Sequence, residues 1–262
     1  MRIIDNIGEV HCVLLGIAKE FHKVCYENDI PYYMLGGTML GAVRHNGFIP
    51  WDDDMDFGIP RPYYDKLKEI LENKLSYPYR CCFYKNNPGV YAAIIKIDDC
   101  RTVVDDPCVR MPLEKQIGLN IDIFPLDYCT PDDVVLKRIH KWLLVYQTVY
   151  VGNLSSSKWK NCIKALLSSL WPVSREEMLD KMHSELRKMR TGPMLTNVFG
   201  VWKEKECVPE NWYGNGVTYK FEDVELCGIK EFDKYLKQLY GDYMTPPIGD
   251  KHIHLNNIYW RE

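Results

Sequence analysis

Two chemically distinct elements stand close together between Met34 and Arg61. The first is a glycine turn with a hydroxyl residue, Gly36-Gly37-Thr38. A glycine turn that leads into a helix directs backbone N–H groups at an anion. The second is a run of carboxylates, whose oxygens suit Mg²⁺: Asp52, Asp53, Asp54 and Asp56. Together they predict a site for a phosphate group and a divalent cation, as phosphoryl-type transfer from a nucleotide requires.

The residues around these elements predict how they are presented. Residues 32–35 form a short β-prone run, and the segment from Thr38 to His45 is typical of a short helix. Residues 54–59 alternate apolar and acidic side chains before Pro60, which predicts a strand. Alternation places Asp54 and Asp56 on one face with Cα atoms roughly 6–7 Å apart, and one or two cations can bridge that span. Asp52 joins this face if the strand begins early, and Asp53 points away.

A further acidic residue lies in the alternating segment 119–125. Ile121 and Ile123 occupy one side of this predicted strand, and Asp122 occupies the other. If this strand neighbours strand 54–59, Asp122 becomes a third carboxylate beside Asp54 and Asp56. The other interpretation of Asp122 is a turn cap or a partner for a lysine. Asp127 is expected to cap a turn after Pro125.

Simpler interpretations of the first two elements also exist. An acidic run is often a solvated surface, and paired glycines often only form a turn. An EF-hand calcium loop is excluded, because a loop starting at Asp52 would have Phe57 where glycine is needed and Tyr63 where glutamate is needed. The order of strand, glycine turn, helix and acidic strand favours a ligand site over these alternatives.

Composition excludes several other classes of protein. The net charge of −3 gives no electrostatic reason to expect a nucleic-acid partner. The 10 cysteines include no C-x-x-C pair, so neither a zinc site nor a disulfide-rich secreted scaffold is predicted. The first residues lack the pattern of a signal peptide, and no apolar run reaches the about 18 residues of a membrane-spanning helix. We therefore expect a reducing cytosolic compartment.

Periodicity divides the rest of the chain into regions. An amphipathic helix is predicted from Ile3 to Val24, helices between Pro131 and about Arg190, and strands at 217–221 and 224–229 before a helix at 230–240. Ser174 and Glu177 match a capping box. A helix at 159–170, with lysines around Trp159, suits either a membrane surface or a core. The expected domains are a catalytic core at 1–130, a helical insertion at 131–195 and a C-terminal β/α segment completing the cleft at 196–262.

Three segments resemble sequence blocks of the LicD family, the phosphocholine transferases of bacterial surface glycans, which are related to fukutin-type enzymes. They are LGGTMLGAVRHNGFIPWDDDMDFGI at 35–59, LNIDIFPLD at 119–127 and FEDVELCGIKEFDKYLKQLYGDYMTPP at 221–247. The resemblance runs from about residue 25 to about 254 and is weak between 130 and 210. It implies an α+β fold with a nucleotidyltransferase-like mixed sheet flanked by helices, together with a helical subdomain.

The resemblance also implies an activity and its cofactor. A CDP-linked donor would be held by two divalent ions, Mg²⁺ or Mn²⁺, bound by Asp54, Asp56 and Asp122. A phospho-substituent would pass to a sugar hydroxyl, with Asp122 orienting or deprotonating that nucleophile. The acceptor can be lipid-linked, which implies a cytoplasmic protein with peripheral contact to the inner face of the membrane.

Further residues are candidates for binding the donor. The backbone at Gly36, Gly37 and Thr38 is expected to hold phosphate. Additional contacts are assigned to Arg44, Lys96, Trp51 and a tail histidine, His252 or His254. For Arg44 and Lys96 the alternative is a surface salt bridge.

Two other functions remain open at this point. The same fold can move a nucleoside monophosphate to a small hydroxyl acceptor, which would release pyrophosphate rather than CMP. A non-catalytic glycan-binding module is the third possibility, although the retained acidic residues disfavour it. The sequence does not distinguish choline from ethanolamine, glycerol or ribitol as the transferred group.

Overall fold

The computed structural model describes residues 1–106, 109, 111–130, 133–151, 171–246 and 257–261. The predicted helix at 159–170, His252 and His254 lie outside the described residues. The α-helices in the described part are α1 (Ile7–Glu27), α2 (Gly36–His45), α3 (Arg61–Lys74), α4 (Val134–Tyr146), α5 (Arg175–Leu186) and α6 (Phe232–Tyr240). The strands there are β1 (Arg2–Ile4), β2 (Tyr33–Met34), β3 (Asp56–Pro60), β4 (Tyr79–Cys82), β5 (Ile95–Asp99), β6 (Thr102–Val104), β7 (Asn120–Cys129), β8 (Met194–Thr196), β9 (Val208–Pro209), β10 (Val217–Phe221), β11 (Val224–Gly228) and β12 (Ile258–Trp260).

The main sheet has the strand order β2-β3-β7-β5-β4. β3 runs parallel to β7, whereas the β2–β3, β5–β7 and β4–β5 pairs are antiparallel. The C-terminal part of β7 continues beyond these partners and pairs with β8, which in turn pairs with β9. The predicted α+β class with a mixed sheet is confirmed. β7 is the central strand, since it pairs with β3, β5 and β8.

Helices α1 and α3 cover one face of this sheet because each carries a continuous apolar stripe. In α1 the buried positions include Val10, Leu14, Ile17 and Phe21, which recur at helical spacing. The Asn6 side chain caps α1 by accepting a hydrogen bond from the Gly8 N–H group. The main hydrophobic core lies between these helices and strands β3, β5 and β7.

Helices α4 and α5 pack against each other around a second, smaller apolar cluster. The predicted capping box starts α5, since Ser174 accepts from the Glu177 N–H group and Glu177 accepts from the Ser174 N–H group. A buried ion pair connects α3 to β7, where Arg61 donates to both carboxylate oxygens of Asp127 at 2.6 Å. The prediction that Asp127 caps a turn is therefore wrong: β7 continues to Cys129, and Asp127 is a buried partner of Arg61.

The N-terminal residues also differ from expectation. The helix predicted from Ile3 begins at Ile7, because Arg2–Ile4 pairs with β12 as strand β1. β12 also pairs with β6, which makes a small antiparallel sheet of distant segments. Among the described residues, no helix has the length and apolar character needed to cross a membrane.

Candidate active site

Strand pairing brings together acidic residues that are far apart in the chain. In the parallel β3–β7 ladder, Asp56 lies opposite Asp122. The Asp122 N–H group donates to the Met55 carbonyl at 2.9 Å, just before β3 begins. The predicted neighbourhood of these two strands is confirmed. β3 starts two residues later than predicted, so Asp54 lies in the loop that precedes it.

The glycine turn is attached directly to the acidic strand. Gly36 has φ +46°, a backbone conformation that glycine adopts without strain. It opens α2, whose Thr38 hydroxyl accepts a hydrogen bond from the Asp56 N–H group at 2.8 Å. A Cβ atom added at Gly37 would lie 2.7 Å from Oδ2 of Asp52. The first turn of α2 and the carboxylates therefore face the same space.

That space is a cavity of about 350 Å³, which we call the glycine cleft. Its polar lining includes Gly36, Gly37, Asp52, Asp54 and Asp56. Asp53 is not among the lining residues. The walls of the cleft also include Asn197 and Glu206. Five aromatic side chains line it as well: Trp51, Phe124, Phe199, Trp202 and Tyr240.

The carboxylates of the glycine cleft repel one another in a poorly solvated environment. Burial and then the charges of Asp54 and Asp53 raise the pKa of Asp52 to about 7. Asp54 is open to the cleft, yet enclosure by surrounding protein and then the Asp122 charge raise its pKa to about 6. Burial, followed by the charges of Asp54 and Asp122, raises the pKa of Asp56 well above its usual range. Such a cluster favours a bound cation, which relieves the repulsion.

One lysine already balances part of this charge. The Lys96 ammonium forms an ion pair with Asp122 and donates to Asn120 Oδ1 at 3.0 Å. Within the described residues, no group of three or more His, Cys, Asp and Glu side chains is arranged to hold a metal ion. The donor set nevertheless has suitable chemistry, because Asp54 and Asp56 line one cleft and Asp122 lies opposite Asp56, so that carboxylate oxygens, the ligands that Mg²⁺ prefers, stand near one another. Asp54, Asp56 and Asp122 are the residues that would hold Mg²⁺ or Mn²⁺.

A second cavity of about 450 Å³ adjoins the glycine cleft, and we call it the Asp122 cavity. Asp122 and Lys96 line it together with Tyr91 and Tyr146. Three residues line both cavities: Phe124, Phe199 and Val201. Two spaces of ligand size thus meet beside the carboxylates, as a reaction between two substrates requires.

Comparison with known proteins agrees with this geometry. The sequence profile of the LicD/FKTN/FKRP nucleotidyltransferase domain matches residues 29–150. This range includes the glycine turn and the carboxylates Asp52, Asp53, Asp54, Asp56 and Asp122. The chain carries a LicD-family domain.

Individual relatives extend the match beyond the domain. The lipopolysaccharide cholinephosphotransferase LicD of Haemophilus influenzae is 27% identical over 264 residues, covering 95% of this chain and 96% of the relative. The human ribitol 5-phosphate transferase FKRP is 53% identical over 30 residues, which is 12% of this chain and 6% of that protein. Similarity to LicD therefore spans both the LicD-family domain and the helices and strands that follow it.

Not every predicted binding residue reaches the LicD-family site. Trp51 lines the glycine cleft and Lys96 contacts Asp122, as described above. Arg44 belongs to the last turn of α2 and lines neither cavity. Its guanidinium donates to the Tyr243 carbonyl at 2.7 Å and to His45 Nε2 at 2.9 Å. The structure thus gives Arg44 a place between α2 and the C-terminal region, away from the glycine turn.

Sequence reasoning did not find several residues of the LicD-family site. The Tyr235 hydroxyl accepts a hydrogen bond from the Gly36 N–H group at 3.1 Å, and Tyr240 from the same helix lines the glycine cleft. His11 of α1 donates through Nε2 to the Asp52 carbonyl at 2.7 Å. Trp202 and Glu206 lie at the two ends of a short 3-10 helix, whose sequence shows no periodic pattern. For the tyrosines the only signal was their position in the third segment resembling the family.

Proposed function

We propose that this protein transfers phosphocholine, or a related phospho-substituent, from a CDP-linked donor to a hydroxyl of a cell-surface glycan or lipid-linked saccharide precursor. The observation that carries this proposal is that the glycine turn and Asp56 line one cleft, while Asp122 lies opposite Asp56 on the neighbouring strand. A transferase of this kind needs charge neutralisation and alignment more than covalent chemistry. The relative named as a cholinephosphotransferase, similar along nearly the whole chain, supports choline as the first donor group to test.

The residues of the glycine cleft would bind the donor. In the first turn of α2 the Gly36 N–H group already donates to Tyr235, whereas the N–H groups of Gly37 and Thr38 lack intrahelical acceptors and suit the diphosphate. Two divalent ions held by Asp54, Asp56 and Asp122 would neutralise charge on the transferred group and the leaving nucleotide. The Thr38 hydroxyl accepts a hydrogen bond from the Asp56 N–H group, and this bond keeps Asp56 against α2.

The Asp122 cavity would receive the acceptor. Asp122 lines this cavity and lies opposite Asp56 of the glycine cleft, so its carboxylate can accept the hydrogen bond of an incoming hydroxyl. Tyr91 and Tyr146 offer aromatic surface for a sugar ring, and the Tyr146 hydroxyl donates to the Tyr91 carbonyl at 2.5 Å. In this proposal the acceptor would lie in the cavity next to the one that holds the donor phosphate. A cytoplasmic location with peripheral membrane contact remains a prediction that accompanies this proposal.

Release of CMP from CDP-choline tests the proposed reaction. Purified protein is incubated with CDP-choline, Mg²⁺ and a panel of methyl glycosides, and CMP and choline-bearing products are measured by chromatography. Asp56→Asn and Asp122→Asn should each reduce turnover about 100-fold or more. Asp53→Asn is the matched control from the same acidic run, and it should retain turnover.

The assay also separates the alternative functions. Pyrophosphate release from CTP, without CMP release from any CDP-linked donor, would identify a nucleotidyltransferase instead. Turnover that is unchanged in Asp56→Asn and Asp122→Asn would reject the roles given to these carboxylates. Parallel reactions with CDP-ethanolamine, CDP-glycerol and CDP-ribitol identify the transferred group.

A further inference from the structure

A buried amide oxygen without a hydrogen-bond partner lies at the wall of the glycine cleft. Asn197 follows β8, lines the cleft and is only 4% exposed. Its Oδ1 atom has no hydrogen-bond partner among the described residues. An unpaired buried acceptor is unfavourable, and native proteins retain few of them. Its position at the cleft indicates that a bound ligand supplies the missing donor.

The orientation of this amide is set by Glu206. The Asn197 side chain forms a hydrogen bond with the Glu206 carboxylate, which also accepts from the Trp202 N–H group at 3.3 Å. A Cβ atom at Gly200 would lie 2.1 Å from Glu206 Oε1 and 2.6 Å from Asn197 Nδ2, so glycine permits this close packing. The oxygen that accepts from the Trp202 N–H group is Oε1, and the Asn197 atom packed beside it near Gly200 is Nδ2, so the amide nitrogen faces Glu206. The amide oxygen is consequently the end left for a ligand.

Aromatic side chains line the same cleft as this amide. Trp202 and Tyr240 line the cleft in an edge-to-face arrangement, with ring centroids 5.1 Å apart and planes at 83°. Trp51 and Phe199 line the same cleft. Aromatic faces of this kind stack with nucleobases, whatever the base. Stacking alone therefore cannot choose between pyrimidines, and the choice falls to a polar group at the ring edge.

We infer that Asn197 selects cytosine in the nucleotide donor, by accepting a hydrogen bond from the 4-amino group through Oδ1. This inference rests on the proposed use of a CDP-linked donor. Uracil carries a carbonyl oxygen at the same ring position, so two acceptors would face each other and UDP-linked donors would be rejected. The trimethylammonium group of choline has no N–H group and cannot satisfy Oδ1. Glu206 is a positioning residue, since it acts through Asn197.

Nucleotide binding with matched variants tests this inference. Calorimetric titration of CMP and UMP, each with Mg²⁺, should show that the native protein prefers CMP by about tenfold or more. Asn197→Ala should weaken CMP binding by about tenfold and bring the CMP/UMP ratio close to one. Glu206→Gln lets the amide take either orientation and should lower the ratio without removing Asn197. Asn211→Ala, an exposed change outside the cleft, should leave the ratio intact.

The outcomes distinguish this inference from the proposed function. If Asn197→Ala loses equal affinity for CMP and UMP, so that the native CMP/UMP affinity ratio is kept, Asn197 contacts the ribose or only supports the fold. That result would overturn base selection by Asn197. A native protein that selects CMP but releases no CMP from any CDP-linked donor would overturn the transfer reaction alone. Failure to bind either nucleotide would overturn both.

Discussion

Removal of Asp127 should destabilise the protein far more than removal of Asp65, although both carboxylates form paired hydrogen bonds with an arginine. Arg61 donates to Asp127 at 2.6 Å through two nitrogens, and the side chains are 5% and 0% exposed. Arg187 donates to Asp65 at 2.8 and 2.7 Å, with side chains 49% and 39% exposed. The two pairs have nearly the same geometry, so burial is the variable that differs.

The expected magnitudes follow from that difference. Asp127→Ala leaves the Arg61 guanidinium buried without its partner, which costs about 3–5 kcal/mol. Two charge-assisted hydrogen bonds at about 1.5–3 kcal/mol each give about 3–6 kcal/mol, which agrees with that range. Asp65→Ala removes an exposed pair and should cost about 0–1 kcal/mol.

Urea denaturation of the two single variants, monitored by far-UV circular dichroism, measures the difference in the free energy of unfolding. Burial raises the pKa of Asp127, opposed by Arg61, so the ion pair itself carries a desolvation penalty. A double variant, Arg61→Met with Asp127→Leu, should therefore recover much of the stability lost in Asp127→Ala. If Asp127→Ala and Asp65→Ala differ by less than about 1 kcal/mol, the argument from burial is refuted.

Three further predictions concern the glycine cleft and the Asp122 cavity. Gly37→Ala places a Cβ atom 2.7 Å from Asp52 Oδ2. This variant should release CMP roughly 10–100-fold more slowly, while its thermal unfolding midpoint stays near the native value. Unchanged turnover would contradict a role for the close approach of Gly37 to Asp52. Burial raises the pKa of Glu206 from 4.5 to about 7, so between these values the folded protein retains a proton that the unfolded chain has lost, and its free energy of unfolding falls as pH rises. Glu206→Gln should reduce that fall in urea titrations between pH 5 and 8, and an unchanged slope would exclude Glu206 as its source. Tyr91→Ala should raise KM for the acceptor but leave acceptor-free hydrolysis of CDP-choline unaltered, whereas equal effects on both would place the acceptor elsewhere.

The proximity of Asp56 and Asp122 was predictable because strand periodicity is local. Each acid stands between buried apolar residues, so its face in the strand follows from its neighbours alone. The sequence did not establish that strands β3 and β7 pair. The proximity of Asp56 and Asp122 was therefore predicted only for the case that these strands are neighbours, and the structure gives their register. The start of β3 depends on pairing with β7, which explains why the predicted start at residue 54 was two residues early.

Other features depended on contacts between distant residues. Asp127 was assigned to a turn because Arg61, its buried partner, is 66 positions away. β1 was taken for the start of a helix because its partner, β12, lies at the other end of the chain. Asn197 and Glu206 occur in a segment without periodicity, so neither the cleft they line nor the orientation of the amide could be inferred from spacing.

The parallel register of β3 and β7 limits how proteins of this architecture can diverge. The connection between these strands contains α3, β4, β5 and β6, and residues can be added in its loops without moving Asp56 relative to Asp122. A single residue inserted in β7 between Asp122 and Ile123 would instead turn the Asp122 carboxylate toward the apolar face. Length variation among relatives should therefore concentrate in the loops, while the two ladder segments keep a constant length.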